Sequence, residues 1–288
     1  MPPTSTYGIA GQQGDIPRPR RPDPKDLSYL QSLPLQQPSN RAPVDEASDE
    51  VERERASASV LAARNALSSL RGSLASLAGE ERGSSLVELC ISRALSADPC
   101  VQAGDAAAEE GERGDVQAAL AELVGALRPY AHFLAINRYG SHVLQALLSR
   151  LPPLVPLMPP GNLPPLLELL KDLAGPFPDL IPHISGSHIC RSLLCVLRGL
   201  PPAALADRRG KKSKHSHTGS ATDKSVPPFP SAPVYPVPEA FGGILEGLKG
   251  AVCDDGNGSL QDLACNPSGS PVLSTLLRAL GGNHVIVN

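Results

Sequence analysis

One pattern, Gly-Ser-x-apolar-apolar-x-x-apolar-apolar, occurs four times in this chain and restricts its fold more than any other feature. The copies begin at Gly83, Gly140, Gly186 and Gly269, in GSSLVELCISRAL, RYGSHVLQALLSR, SGSHICRSLLCVL and SGSPVLSTLLRAL. Recurrence within one chain points to a repeat architecture, in which each unit buries its apolar face against its neighbours.

The pattern also specifies a helix. At about 100° per residue, Val143, Leu144, Leu147 and Leu148 share one half of the wheel, while Ser141, His142, Gln145 and Ala146 occupy the other. Ile189, Cys190, Leu193 and Leu194 separate in the same way from Ser187, His188 and Arg191, and Val272, Leu273, Leu276 and Leu277 from Ser270 and Ser274. Each copy is thus expected to be an amphipathic helix with one buried face. The glycine suits close approach to another helix because it has no Cβ. Stacked side by side, the outward groups would form a continuous polar strip.

With these residues in view, NRYGSHVLQALL resembles the second helix of a Pumilio (PUF) RNA-binding repeat, whose usual form is Asn/Asp-x-Tyr-Gly-x-x-Val-x-Gln. The order RYGSHVLQALL, SGSHICRSLLCVLRG, a polar insertion, VPEAF and LACNPSGSPVLSTLLRAL is similar to the nucleolar Pumilio-like proteins of small-subunit ribosome biogenesis, the nucleolar protein nine family. The resemblance runs from about Ser84 to Leu280. It implies an all-α, right-handed superhelix of Pumilio-like (armadillo-like) repeats that binds RNA. Carried over by position, it makes Ser84 with Glu88, Ser141 with Gln145, Ser187 with Arg191, and Ser270 with Ser274 the readers of base edges. Ser85, His142, His188 and Pro271 take the stacking positions. A hydroxyl with an amide or guanidinium can bond a base edge, and an imidazole can stack on its face. Ser85 has no ring, and Pro271 suits only the start of a helix, with Ser270 as its cap.

The family further implies residence in the nucleus and nucleolus, with precursor small-subunit rRNA as partner and pre-ribosomal proteins as further contacts. The function would be 18S rRNA maturation, by holding an RNA segment and shielding it from processing. Two alternatives stay open: a cytoplasmic PUF regulator of mRNA, which regular spacing and aromatic stackers would favour, and a protein-binding scaffold of the HEAT or armadillo type, which an apolar or acidic concave face would favour. The family has more repeats than four, so the chain is expected to be an N-terminal portion or a truncated form.

In chain order, residues 1–47 are rich in Pro, Gln, Ser and Arg and are expected to be a disordered tail. Arg18, Arg20, Arg21 and Lys25 within it suit nuclear import or phosphate contact. Residues 48–288 are expected to hold the repeats, with core helices near 83–95, 137–150, 183–198 and 266–280. A proline-free helix is expected over 49–78, where Val60, Leu67 and Leu74 recur as a stripe. Residues 96–114 read as a loop, 115–127 as a helix, and the proline run 151–165 as largely non-helical. Helices follow over 166–173 and 239–248. The glycine positions give intervals of 57, 46 and 83 residues, each longer than one PUF repeat, so insertions are expected. Residues 207–237, polar and rich in Pro and Ser, are expected to be a disordered insertion. Its basic cluster, Arg208, Arg209, Lys211, Lys212 and Lys214, suits a localisation signal or a phosphate-binding arm.

The net charge of −3 means that any nucleic-acid surface must be local. No apolar run approaches a membrane span. The six cysteines include no C-x-x-C pair, and the histidines lack zinc-ligand spacing with them. No phosphate-binding glycine loop or nucleophile elbow occurs. No catalytic residues, metal, cofactor, small-molecule substrate or membrane is therefore expected, and the chain reads as a non-enzyme.

Overall fold

A computed structural model describes residues 16–35, 46–96, 106–200, 234–253, 260–281 and 286–287, and the structural statements below concern these residues. After α1 (Pro24–Ser32), the chain builds four units, each made of a long outer helix, a short helix and a core helix. They are α2 (Glu46–Ser69), α3 (Leu74–Ala78) and α4 (Glu81–Ala94); then α5 (Ala106–Leu127), α6 (Ala131–Ile136) and α7 (Arg138–Leu154). The third and fourth units are α8 (Leu163–Ala174), α9 (Phe177–Leu180) and α10 (Ile184–Leu197), then α11 (Glu239–Cys253), α12 (Leu260–Cys265) and α13 (Gly269–Gly281). Core helices stack in the order α4–α7–α10–α13 and outer helices in the order α2–α5–α8–α11. The fold is an all-α helical repeat, as the recurrence predicts.

The glycine of the pattern explains the shape of a unit. A Cβ on Gly186 would lie 2.6 Å from the Leu180 carbonyl oxygen, one on Gly269 2.5 Å from that of Leu263, and one on Gly140 2.9 Å from Leu134 Cα. Gly83 meets the Leu77 carbonyl in the same way. The leucine always lies six residues before the glycine, on the unit's short helix, so the core helix folds directly back onto that helix. Its N-terminus is held three residues before the glycine. Asn137 Oδ1 accepts from the Tyr139 and Gly140 amides at 2.9 and 2.8 Å, Asn266 Oδ1 from the Ser268 and Gly269 amides, and His183 Nδ1 from the Gly186 amide at 3.2 Å. Each cap satisfies amides that the first turn leaves unpaired.

The predicted apolar faces form the core. Val143, Leu144, Leu147, Leu148, Ile189, Cys190, Leu193 and Leu194 are fully buried, and each such leucine contributes roughly 1.5–3 kcal/mol by leaving water. The fourth copy departs from this: Val272 and Leu276 are buried, but Leu277 is 70% exposed where Leu148 and Leu194 are 0%. Among the described residues α13 has a core-helix neighbour on one side only.

Side-chain ion pairs tie the outer layer across units. Arg64 of α2 forks onto Glu112 of α5, with Nη1 3.0 Å from Oε2, and its other nitrogens donate to the Ala94 and Ser96 carbonyls. Arg128, at the end of the second outer helix, reaches Asp172 and Glu168 of α8 at 2.7 and 3.2 Å. In the inner layer, Arg150 Nη2 donates to Ser92 Oγ at 2.6 Å, joining α7 to α4.

Several expectations need correction. Within the tail expected over 1–47, α1 is a helix. Asp23 caps it by accepting from the Lys25 amide at 2.8 Å, and Leu30 and Leu35 are buried in the core. The helix expected over 49–78 is two helices, broken at residues 70–73 around Gly72. Residues 106–114, read as loop, are the first turns of α5; alanines and glutamates favour a helix there, and Glu112 is anchored by Arg64. The proline run is more helical than expected, because α7 continues through Pro152 and Pro153 in its last turn and α8 carries Pro164 and Pro165 in its first. Proline removes an amide, which costs little where the first turn has no partner for it. Helix α11 continues past Gly250 to Cys253.

Most of the insertion, including Arg208, Arg209, Lys211, Lys212 and Lys214, lies outside the described residues. Its last part does not: the Tyr235 amide donates to the Gly199 carbonyl at 2.8 Å, and Val237 is buried. Strand β1 (Val237–Pro238) pairs in parallel with β2 (Ile286–Val287). Gly199 has φ +67°, and a Cβ there would meet the Tyr235 carbonyl oxygen.

Two stability predictions follow from this packing. Gly186→Ala forces the core helix off the Leu180 carbonyl and is expected to cost about 1–3 kcal/mol. Gly247→Ala, at an exposed helical site with nothing within 4 Å, is expected to stabilise by about 0.5–1 kcal/mol; urea unfolding measures both. Arg64→Ala removes the forked partner of Glu112, whose side chain is 12% exposed, and is expected to cost about 3 kcal/mol. In the same assay Arg71→Ala, which removes a pair whose arginine is 61% exposed, is expected to change stability by less than about 1 kcal/mol.

Candidate nucleic-acid interface

Because the core helices are parallel copies, positions equidistant from the four glycines line up across the inner layer. Two residues after each glycine stand Ser85, His142 and His188, all exposed, and half-buried Pro271. Five residues after stand Glu88, Gln145 and Arg191, half-buried, and Ser274, exposed. These two rows run over four consecutive helices as the predicted polar strip.

The serine row behaves differently. Ser84, Ser141 and Ser187 are 3–5% exposed, and only Ser270 is exposed. Each buried hydroxyl donates to the carbonyl three residues earlier: Ser84 to Glu81 at 3.1 Å, Ser141 to Arg138 at 3.0 Å and Ser187 to Ile184 at 2.8 Å. The expectation that these serines point outward is therefore corrected. Their position follows the glycine directly, where the core helix lies against its short helix, and a small self-bonded side chain fits that gap.

Helix α13 carries a second correction. Asn266, not Ser270, supplies the cap, and Pro271 is the third helical residue. The other three core helices begin two residues before their glycine, but α13 begins at Gly269 itself. The Ser270 amide still donates to the Asn266 carbonyl at 2.9 Å, but Pro271 has no amide to donate to the Pro267 carbonyl, so one bond of the opening ladder is missing.

The strip is electrostatically continuous over α4, α7 and α10. Arg191 Nη2 lies 2.6 Å from His188 Nδ1. A guanidinium only donates, so Nδ1 accepts and the His188 proton sits on Nε2. Burial, then the charges of Arg191 and His142, hold the His188 pKa below 6.5. Burial raises the Glu88 carboxyl, while the charge of His142 pulls it the other way. Arg191 Nε is buried without a hydrogen-bond partner among the described residues, an unspent donor beside the strip. The sequence reading missed the guanidinium of Arg138, 5.8 Å from the centre of the Tyr139 ring at the head of α7. Adjacency in the sequence was the available signal.

Other chemistry is sparse among the described residues. No group of three His, Cys, Asp or Glu is placed to hold a metal ion, and no helix is long and apolar enough to cross a membrane. The Cys90 and Cys195 thiols are pushed up to about 12 by burial, and that of Cys190 also rises. They remain protonated and unreactive.

Residues 164–283 match the NOP9-like PUF repeat domain. This part of the chain is a NOP9-like PUF repeat domain. The match spans α8 to α13, the third and fourth units, and the first two units repeat the same three-helix plan around Gly83 and Gly140. No curated protein matches the chain. The PUF domain supports an RNA-binding, Pumilio-like protein, and of the strip it covers the residues on α10 and α13.

A pH dependence follows from His188. Its folded pKa lies below the ordinary 6.5, so between the two values the unfolded chain binds more protons, and stability falls as the pH drops through that window. The contribution is present above 6.5 and lost below it. His188→Gln is expected to flatten this part of the stability–pH curve, measured by urea midpoints between neutral and mildly acidic buffers.

Proposed function

We propose that this chain is a nucleolar RNA-binding protein that holds a segment of precursor small-subunit rRNA during 18S rRNA maturation and contacts pre-ribosomal proteins there. The observation that carries the RNA reading is the strip itself. On three consecutive core helices, Ser85, His142 and His188 are exposed and Glu88, Gln145 and Arg191 half-buried, in two rows set by the distance from the glycine. Such a row offers donors, acceptors and two imidazole faces at repeated spacing, which suits unstacked bases of a single strand. The choice of precursor rRNA and of the nucleolus rests on the resemblance of the repeat residues to the nucleolar Pumilio-like proteins, and the NOP9-like match supports it. A protein-binding scaffold would favour an apolar or acidic row; here the row mixes one carboxylate with two imidazoles, an amide and a guanidinium.

The test is fluorescence-anisotropy binding to precursor small-subunit rRNA fragments and to an unrelated single strand, at two salt concentrations. The variant His142→Ala, Gln145→Ala, His188→Ala, Arg191→Ala is expected to lose the preference for the ribosomal fragments while its circular dichroism is unchanged. Losing stacking on two imidazoles predicts weakening by at least about tenfold. Equal binding of both RNAs by wild type and variant would overturn the reading.

A further inference from the structure

The strip carries few full positive charges and one carboxylate, and the chain has a net charge of −3. Affinity for a polyanion therefore needs cations displayed elsewhere on the body. The segment ahead of α1 supplies them. In Ile16–Pro22, IPRPRRP, residues Ile16, Pro19 and Pro22 are half-buried, whereas Pro17, Arg18, Arg20 and Arg21 are exposed. Partial burial at every third residue fits a polyproline II rod, which has three residues per turn. Asp23, where the rod meets α1, has φ −71° and ψ 131°, close to that conformation.

The rod is anchored at its far end. Helix α1 packs on α4, the first core helix of the strip, with Leu30 buried and Leu27 and Leu33 against the core. Lys25 is exposed on the first turn of α1. The four cations face two carboxylates within residues 16–35; Asp23 spends an oxygen on the helix cap and Asp26 is half-buried. Arg18, Arg20 and Arg21 make no ion pair among the described residues.

We propose that this docked rod is a phosphate-binding site for single-stranded RNA, in which Arg18, Arg20, Arg21 and Lys25 hold the backbone of a strand leaving the Glu88 end of the strip. The proposal rests on the RNA-binding reading above. Arginine's planar fork suits phosphate, and a stiff proline-rich rod presents it with little ordering entropy left to lose. A linear import signal, by contrast, must come free of the body to enter a receptor's groove, and this segment is tied to the body through α1.

The test uses the full chain and a fluorescein-labelled, uridine-rich single-stranded RNA, titrated over a range of salt. Arg18→Gln, Arg20→Gln, Arg21→Gln replaces exposed side chains only, so the fold is retained. It is expected to reduce the slope of log K against log salt by about 2, at about 0.7 per lost phosphate contact. Leu30→Ala keeps every charge but loosens α1, and is expected to reduce the slope in the same direction. A wild-type slope in the glutamine variant overturns the proposal, and if the same variant no longer accumulates in the nucleus the arginines belong to an import receptor. A wild-type slope in Leu30→Ala, with α1 shown undocked by hydrogen exchange, overturns the fixed rod in favour of a loose tail. Failure of the wild type to bind any RNA sinks the RNA-binding reading as well, whereas a weakened strip variant beside an unaltered glutamine variant sinks this inference alone.

Discussion

Everything in this fold depends on the contact between a glycine and the backbone of a leucine six residues before it. At Gly83, Gly140, Gly186 and Gly269 the core helix comes so close to the short helix of its own unit that a Cβ has no room. That contact sets the angle at which the chain turns back. With the angle set four times, the core helices become parallel and stack, and the outer helices are brought into a second layer. The caps at Asn137, His183 and Asn266 sit three residues before the glycine for the same reason: the turn that brings the helices together exposes the amides that need an acceptor.

The polar strip is a by-product of this regularity. Once the core helices are parallel, any position counted from the glycine becomes a row, and a row that avoids both the apolar core and the short helix faces outward. The rows two and five residues after the glycine meet that condition. The row immediately after it does not, because the crowding that demands glycine also encloses its neighbour; a serine bonded to its own helix is what fits. Arg191 donates to His188 Nδ1, and burial first, then the Arg191 charge, lowers the pKa of that ring. A nearly neutral row with directed donors and acceptors suits discrimination between bases better than general attraction to phosphate.

Regular cores coexist here with irregular connections, and the irregularities are absorbed where they cost least. Pro164 and Pro165 fall in the first turn of α8, where the amide has no partner to lose, and Pro152 and Pro153 in the last turn of α7, where no further turn depends on the two bonds they forgo. Pro271 shows the limit of this tolerance: as the third residue of α13 it removes one backbone hydrogen bond, and the helix begins at Gly269 itself. The long interval between the third and fourth glycines is spanned by residues whose two ends meet at Gly199 and Tyr235, so the stack is not displaced by what lies between. At the front of the array, α1 packs on α4, with Leu30 and, just beyond the helix, Leu35 buried in the core.

The amino-acid sequence by itself determined the helices and their buried faces, because a fourfold pattern of apolar pairs at helical spacing is a local property that survives any arrangement. It determined the repeat plan too, and the residues of the strip, since Ser85, Glu88, His142, Gln145, His188 and Arg191 are placed by counting from a glycine. Tertiary structure decided the rest. Whether Ser141 points outward depends on the distance to another helix, which no helical wheel contains. That α1 is a helix depends on Leu30 finding the core beside α4, a surface made by residues far along the chain. That residues 106–114 are helical depends in part on Arg64, 48 positions before Glu112, offering a buried partner. In each case the deciding free energy comes from packing or pairing across units, and the local sequence records only one side of that contact.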